Sequence, residues 1–397
     1  MNERLLVRIW QSGMLRGKEL ATASGLPLRV VRPGRFNTGS GPDFLRAAVS
    51  WENRGVVTGD IELHVRSSDW RSHSHHCDRR YNQVILHVTM WHDREWPTLR
   101  EDGETVPVLA LFPYLKFSTQ ELERLCSSGD GYRDPCSDAK QRLGGDRVVA
   151  HLDAAGEERF ELKAGYFAQM LSSMEADQVL YEGLMGALGY SQNKALFQEL
   201  ARRLSWRMLR RIASGESKRR RGPVLGKALL DAAAGMSGWE PSGTRPCNRP
   251  ERRLAGAGYL FARYVDRGLA RGLREVVQGV APKAACAQIE RKMMVGNEGQ
   301  TALIGRGRAR EMVVNVILPF FYAWGGSTSQ ARQRGQARQM YQTYPRLEQN
   351  QITRQMGRQL FGEKHSGIVT SARRQQGLIH IYHNFCLDAE CATCGLG

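Results

Sequence analysis

Asn37-Thr38-Gly39-Ser40-Gly41-Pro42-Asp43-Phe44, the apolar run Ala47 to Trp51, a turn at Glu52 to Gly55, and Gly59-Asp60-Ile61-Glu62-Leu63-His64-Val65 decide how this chain is read. Gly, Pro, Asn and Asp bound two runs rich in apolar and β-branched residues, which is the pattern of paired strands. Ile61, Leu63 and Val65 alternate with Glu62 and His64. That period of two sets the carboxylate and the imidazole on the same face of one strand.

This arrangement resembles the PD-(D/E)XK nuclease superfamily, in which an Asp heading one strand and an acidic residue plus Lys on the next meet at one end of a hairpin. Pro42-Asp43 matches the first element and Glu62-Leu63-His64 the second, with His64 where the superfamily has Lys. The resemblance implies a nuclease-like site in which Asp43 and Glu62 hold Mg²⁺ or Mn²⁺, hard cations that prefer oxygen ligands. Such an ion lowers the pKa of an attacking water and neutralises charge on the phosphate. His64 would position water or phosphate as a neutral hydrogen-bonding group, a ligand, or a cation at lower pH.

Working outward, residues 3 to 15 carry Leu5, Leu6, Ile9, Trp10 and Met14 near helical spacing, and predict an amphipathic opening helix. Strand-like runs follow at 28 to 32, 47 to 51, 56 to 65, 83 to 90 and 106 to 112. Helical patterning takes over from Asp146, after a turn-rich boundary between Cys126 and Gly145. Lys218-Arg219-Arg220-Arg221 reads as an exposed loop, and Gly325 to Ser329 as a linker or loop. The expected class is α+β: a restriction-endonuclease-like, mixed-sheet α/β domain over 1–143, then a mainly α-helical basic domain over 144–397 with a Cys-rich tail.

Charge narrows the class of function. The chain has 57 Lys+Arg against 40 Asp+Glu, a net of +17 in 397 residues. Residues 1 to 143 hold 20 basic and 18 acidic side chains, and the remainder 37 and 22, so +15 of the excess lies after residue 143. A basic region of that size attracts polyanions and releases counterions on neutralising phosphates, which makes nucleic acid the expected partner and Lys218 to Arg221 the candidate contacts. The competing explanation is a solvated basic surface. Hydrophobic residues at 41% fit a chain that buries real cores and exclude wholesale disorder. Glu3, Arg4 and Arg8 interrupt any secretory apolar core. The longest uncharged stretch, Met312 to Ala331, is broken by Asn315 and Pro319. No membrane association and a cytoplasmic location are therefore expected, with the eight Cys as thiols or metal ligands rather than disulfides.

Six of the ten His (64, 73, 75, 76, 87 and 92) fall within residues 64 to 92, among Asp69-Trp70, Asp78 and Tyr81-Asn82. Asn37, His73, His75, Asp78, Tyr81 and His87 are the expected supporting shell of the Asp43/Glu62 site. The alternative enzyme is a His/carboxylate metal hydrolase, in which His64, His73, His75, His87 and Asp78 form a transition-metal site suited to Zn²⁺, Mn²⁺ or Fe²⁺. A non-catalytic nucleic-acid-binding or scaffold protein is the rival from outside enzymology. In the tail, Cys386, Cys391 and Cys394 with His383 have spacings that suit a structural Zn²⁺. An iron-sulfur cluster, similar to those of iron-sulfur nucleases, is the less favoured occupant.

Over most of its length the chain also resembles a bacterial family catalogued as domain of unknown function 2851. RPGRFNTGSGPDF, GDIELHVRSSDWRSH, YNQVILHV, LGYSQN, RPCNRPERRLA, VVNVILPFFYA and RRQQGLIHIYHNFCLDAECATC carry that resemblance. It implies nothing specific about activity.

Overall fold

The computed structural model describes residues 3–11, 15, 18–37, 39–52, 54–115, 136, 139–190, 192–239, 249–296, 302–327, 331–361, 367–386 and 393–396. Two compact units result, Met1–Ser137 with Phe385–Gly397, and Asp138–Asn384. The class is α+β, a mixed sheet followed by a mostly helical region.

The first unit opens with α1 (Glu3–Gln11), whose Leu5, Leu6, Ile9 and Trp10 are buried against one face of the sheet. The strands are β1 (Leu20–Ala21), β2 (Pro27–Arg32), β3 (Arg35–Phe36), β4 (Phe44–Trp51), β5 (Gly55–Arg66), β6 (Val84–Trp91) and β9 (Val108–Ala110). Their order is β1-β2-β4-β5-β6-β9, with β3 pairing to β4. The pairs β1/β2, β2/β4, β3/β4 and β4/β5 are antiparallel; β5/β6 and β6/β9 are parallel. A short separate hairpin pairs β7 (Thr98–Leu99) with β8 (Thr105–Val106).

Two irregularities aim the upper ends of β4 and β5. Between the pairs Phe44/Ile61 and Ala47/Gly59, β4 carries an extra residue. Arg46 takes φ +54° there and donates its amide to Asp60 Oδ1 at 3.0 Å. A bulge of this kind bends a strand and re-aims its side chains. At Gly59 an added Cβ would stand 2.7 Å from the Gln83 carbonyl oxygen, so only glycine lets β5 lie this close to β6.

The helical unit contains α3 (Ala139–Leu143), α4 (Gly145–Leu171), α5 (Ala176–Leu188), α6 (Lys194–Arg203), α7 (Trp206–Ser214), α8 (Lys218–Ala234), α9 (Pro250–Ala262), α10 (Leu269–Val277) and α11 (Pro282–Met293). After these come α12 (Arg306–Met312), a π-helical turn at Val313–Ile317, α13 (Leu318–Ser327), α14 (Ala331–Gln342), α15 (Gln351–Phe361) and α16 (Ala372–Ile381). One continuous apolar core joins most of them, with Tyr181, Phe197, Phe261, Phe320 and Tyr341 fully buried.

The expected loop at Lys218 to Arg221 is instead the first turn of α8. Leu225, Leu229 and Ala233 bury one face of that helix, and this packing pulls the charged residues into helical conformation ahead of them. The expected linker at Gly325 to Ser329 is helical through Ser327, because α13 continues with Gly325 buried. No helix among the described residues is long and apolar enough to cross a membrane.

Candidate metal centre

On β5 the two-residue repeat sends Ile61 and Leu63 into the core beneath α1. Glu62 and His64 point to the opposite face, yet they are only 6% and 1% exposed. The cover is the stretch between β5 and β6. It folds as the short helix α2 (Asp69–Ser72) and two 3₁₀ turns, His75–Cys77 and Arg79–Tyr81, with Ser74 in the left-handed region at φ +62°. That reversal at Ser74 turns His73 and His75 back towards the strand. Trp70 anchors the cover: it is fully buried, donates from Nε1 to the Leu99 carbonyl at 2.8 Å, and packs edge-on against Tyr81. His75 stacks on Tyr81 with ring centroids 3.9 Å apart.

Three imidazoles converge here, His64 and His75 buried and His73 exposed. His64, His73 and His75 each offer a ring nitrogen, and the three nitrogens lie within 4.8 Å of one another. Among the described residues this is the one such group of three or more possible ligands. His64 Nε2 is 3.0 Å from His73 Nδ1, and His64 Nδ1 is 2.9 Å from His87 Nε2. Glu62 Oε1 adds a carboxylate oxygen 3.3 Å from His75 Nε2 and 3.6 Å from His64 Nε2. Its other oxygen, Oε2, accepts the Asp43 amide at 2.9 Å, while Asp43 Oδ2 accepts the Leu63 amide at 3.1 Å. The two carboxylates thus bridge the head of β4 to β5, Glu62 through the Asp43 amide and Asp43 through the Leu63 amide.

The electrostatics are those of a site short of positive charge. Burial pushes the Asp43 carboxyl well up, and the neighbouring Glu62 pushes it further. Burial raises Glu62 as well, against the lowering effect of the Asp43 amide. Burial holds His64 down to about 2 and His87 to about 3, and lowers His75. Burial thus disfavours the protonated forms of His64, His75 and His87, and leaves ring lone pairs available to a cation. His75 Nε2 and His87 Nδ1 are buried without a hydrogen-bond partner. Three imidazole nitrogens and a carboxylate oxygen form a donor set suited to Zn²⁺, Mn²⁺ or Fe²⁺. His87 is placed to fix the tautomer of His64 from behind, as outer partners of ligating histidines do.

The remaining expected residues take other positions. Asn37 organises the turn before β4, its Nδ2 donating to the Pro42 carbonyl at 2.9 Å and its Oδ1 accepting the Gly39 amide. Asp78 accepts from the Arg80 amide and guanidinium, which holds its carboxyl below the usual range. Tyr81 lies under His75 rather than among the donors, and burial raises its hydroxyl. In the tail, Cys386 is half-buried, Cys394 is buried with its Sγ accepting the Leu396 amide, and His383 is exposed; Cys391 lies outside the described residues. Lys218, Arg219 and Arg220 are exposed, and Arg221 pairs with Asp266 at 2.7 Å.

Sequence places Trp70 within the histidine cluster without giving it a role, and does not reveal the Arg46/Asp60 bulge. Their signals were the Asp69-Trp70 pair inside the histidine cluster and an Asp two residues before Glu62 on the same strand.

No curated protein and no solved structure matches the chain. The family model described as "Protein of unknown function (DUF2851)" matches residues 3–230, a span that holds every residue of the centre. It covers more than half of the sequence, and the chain belongs to the DUF2851 family.

Proposed function

We propose that the sheet unit is a divalent-metal-dependent hydrolase of phosphodiesters, a nuclease or nuclease-like phosphodiesterase, with the metal on His64, His73 and His75 and with Glu62. The observation that carries this reading is the convergence of three imidazoles, His64, His73 and His75, beside the buried Glu62 carboxylate. A divalent ion there supplies a water of lowered pKa and charge stabilisation for a phosphoryl oxygen. Glu62 and Asp43 orient the donors and hold protons within the neutral range, and His87 keeps His64 in the ligating tautomer. The imidazole content favours Mn²⁺, Zn²⁺ or Fe²⁺ over Mg²⁺. A nuclease reading is supported by Pro42-Asp43 heading β4 beside Glu62 on β5, in a sheet that continues in parallel through β6. The excess of basic residues after residue 143 favours a nucleic-acid substrate.

The test is hydrolysis of single-stranded DNA, duplex DNA and RNA with added Mn²⁺, Zn²⁺ or Mg²⁺, beside Glu62→Gln and His75→Ala. Metal-dependent cleavage that disappears in both variants is expected. Absence of cleavage and of metal uptake by the wild type would overturn the reading. Metal uptake without cleavage would leave a non-catalytic metal-binding protein.

A further inference from the structure

Within the helical unit, α8 and α9 meet backbone to backbone. A Cβ on Gly258 would stand 2.2 Å from the Gly226 nitrogen, and one on Gly222 would stand 2.4 Å from Tyr259 Cδ1. This approach sets the Tyr259 ring over the first turns of α8, beside Lys218, Arg219 and Arg221. Arg263, just past α9, reaches α11 by donating to the Lys292 and Met294 carbonyls at 2.6 and 2.9 Å. The result is a cleft of about 680 Å³ bounded by α8, α9, α10 and the end of α11.

Its charges do not balance. Arg221 is paired with Asp266 at 2.7 Å, and Arg267 stands 3.6 Å from Glu275. Lys218, Arg219, Arg263 and Lys292 line the same cleft with no ion pair to a carboxylate among the described residues. A solvated helix face spreads such charges over a convex surface, whereas here three separate elements turn them into one concavity. Two aromatic features accompany them. Tyr259 is 42% exposed in the cleft wall. Tyr264, another lining residue, is 5% exposed, and its hydroxyl is buried without a hydrogen-bond partner.

We propose that this cleft binds a stretch of single-stranded nucleic acid, its phosphates on Lys218, Arg219, Arg263 and Lys292 and a base against Tyr259. Clustered cations release counterions from a phosphate backbone, and an aromatic ring stacks on any base without sequence preference. The proposal deepens the reading of the chain as acting on nucleic acid, and rests on it.

The experiment is fluorescence anisotropy of a labelled single-stranded oligonucleotide with the full chain in EDTA across a salt series, with ATP as a second probe. Lys218→Glu/Lys292→Glu is expected to weaken oligonucleotide binding at least tenfold and to reduce the log–log salt slope by about 1.4. Tyr259→Ala is expected to cost roughly 5- to 150-fold. Arg354→Glu/Arg358→Glu, which removes the same charge from exposed positions of α15, should change affinity little; an equal loss there would show general charge and overturn the cleft. Tight ATP binding with an unaffected oligonucleotide would overturn the strand assignment. The wild type and His75→Ala together separate the two readings. Wild-type binding that the cleft variants weaken, with no wild-type cleavage in any metal, leaves the cleft standing without the metal centre, while wild-type cleavage abolished by His75→Ala, with binding untouched by the cleft variants, does the reverse.

Discussion

In the helical unit, buried or half-buried carboxylates sit against guanidinium groups. Arg373 Nη2 lies 2.8 Å from Asp153 Oδ2, Arg374 Nε lies 3.0 Å from Asp153 Oδ1, and Arg202 Nε lies 3.1 Å from the buried Glu182. In the sheet unit, Glu62 and Asp43 are equally withdrawn from water but meet backbone amides and imidazoles. Burying a charge is expensive in either place. Arginine removes the cost permanently, and nothing further needs to bind. A carboxylate facing histidines has no such fixed partner, so under the proposed function the same burial is structural in one unit and a binding device in the other.

The strongest way to break this contrast is to remove a donor. His75→Ala should lower Mn²⁺ or Zn²⁺ affinity by more than about 100-fold, and His87→Phe by about 10- to 100-fold, the range for outer partners of a ligand. Isothermal titration of each variant checks both values, and equal effects from the two would abolish the distinction between ligand and support.

Asp153→Asn should destabilise by about 1.5–3 kcal/mol, since it removes the carboxylate that Arg373 and Arg374 share and leaves Arg373 to Glu157 and Arg374 to the Ile368 carbonyl and Thr370. Urea unfolding with and without metal tests it. The loss should be the same in both, whereas the effect of Glu62→Gln should change with metal.

A pH series sharpens the comparison. In the metal-free protein the folded Asp43 and Glu62 carboxyls, raised by burial, keep protons that the unfolded chain releases, so their contribution falls as pH rises through the raised values. His64, His75 and His87 act oppositely: unfolded imidazoles take protons near 6.5 that the folded ones refuse, so their contribution grows with pH and is complete above that range. Melting temperature in chelator should therefore peak at about pH 6 and decline above it. Saturating metal should remove the decline, and its persistence would show that the ion does not reach the carboxylates.

The smallest effect is expected at Asp78. Paired with Arg80 near the surface, its change to Asn should leave metal affinity within about twofold and stability within about 1 kcal/mol. A large loss of metal would make it a ligand after all.

Much of the sheet was legible because strand patterning is local. The runs read at 28 to 32, 47 to 51, 56 to 65 and 83 to 90 became β2, β4, β5 and β6 with ends displaced by a few residues. The helical class of the second unit was equally plain, but the run at Lys218 hid a helix start, because composition there contradicted the packing of Leu225 and Leu229. In the centre, sequence clustering located the histidines without telling ligand from support. Asp78 and His87 read as supporting residues in one expectation and as donors in the alternative; Asp78 pairs with Arg80, and His87 meets His64 Nδ1.

Sequence alone determined that Glu62 and His64 share a face, that Asp43 stands at a strand head, and that basic charge accumulates in the second half. Chain geometry repeats every two residues in a strand, and composition needs no fold. Tertiary structure alone decided that the segment after β5 closes over that face, and that His73 and His75 turn in at Ser74 to join Glu62. It also decided that parallel pairing sets His87 opposite Glu62 in the ladder, and that His73 meets His64 while His75 meets Glu62. Those contacts depend on which packing has the lowest free energy across distant residues, with Trp70 and Tyr81 as the wedge, and no local repeat encodes that choice.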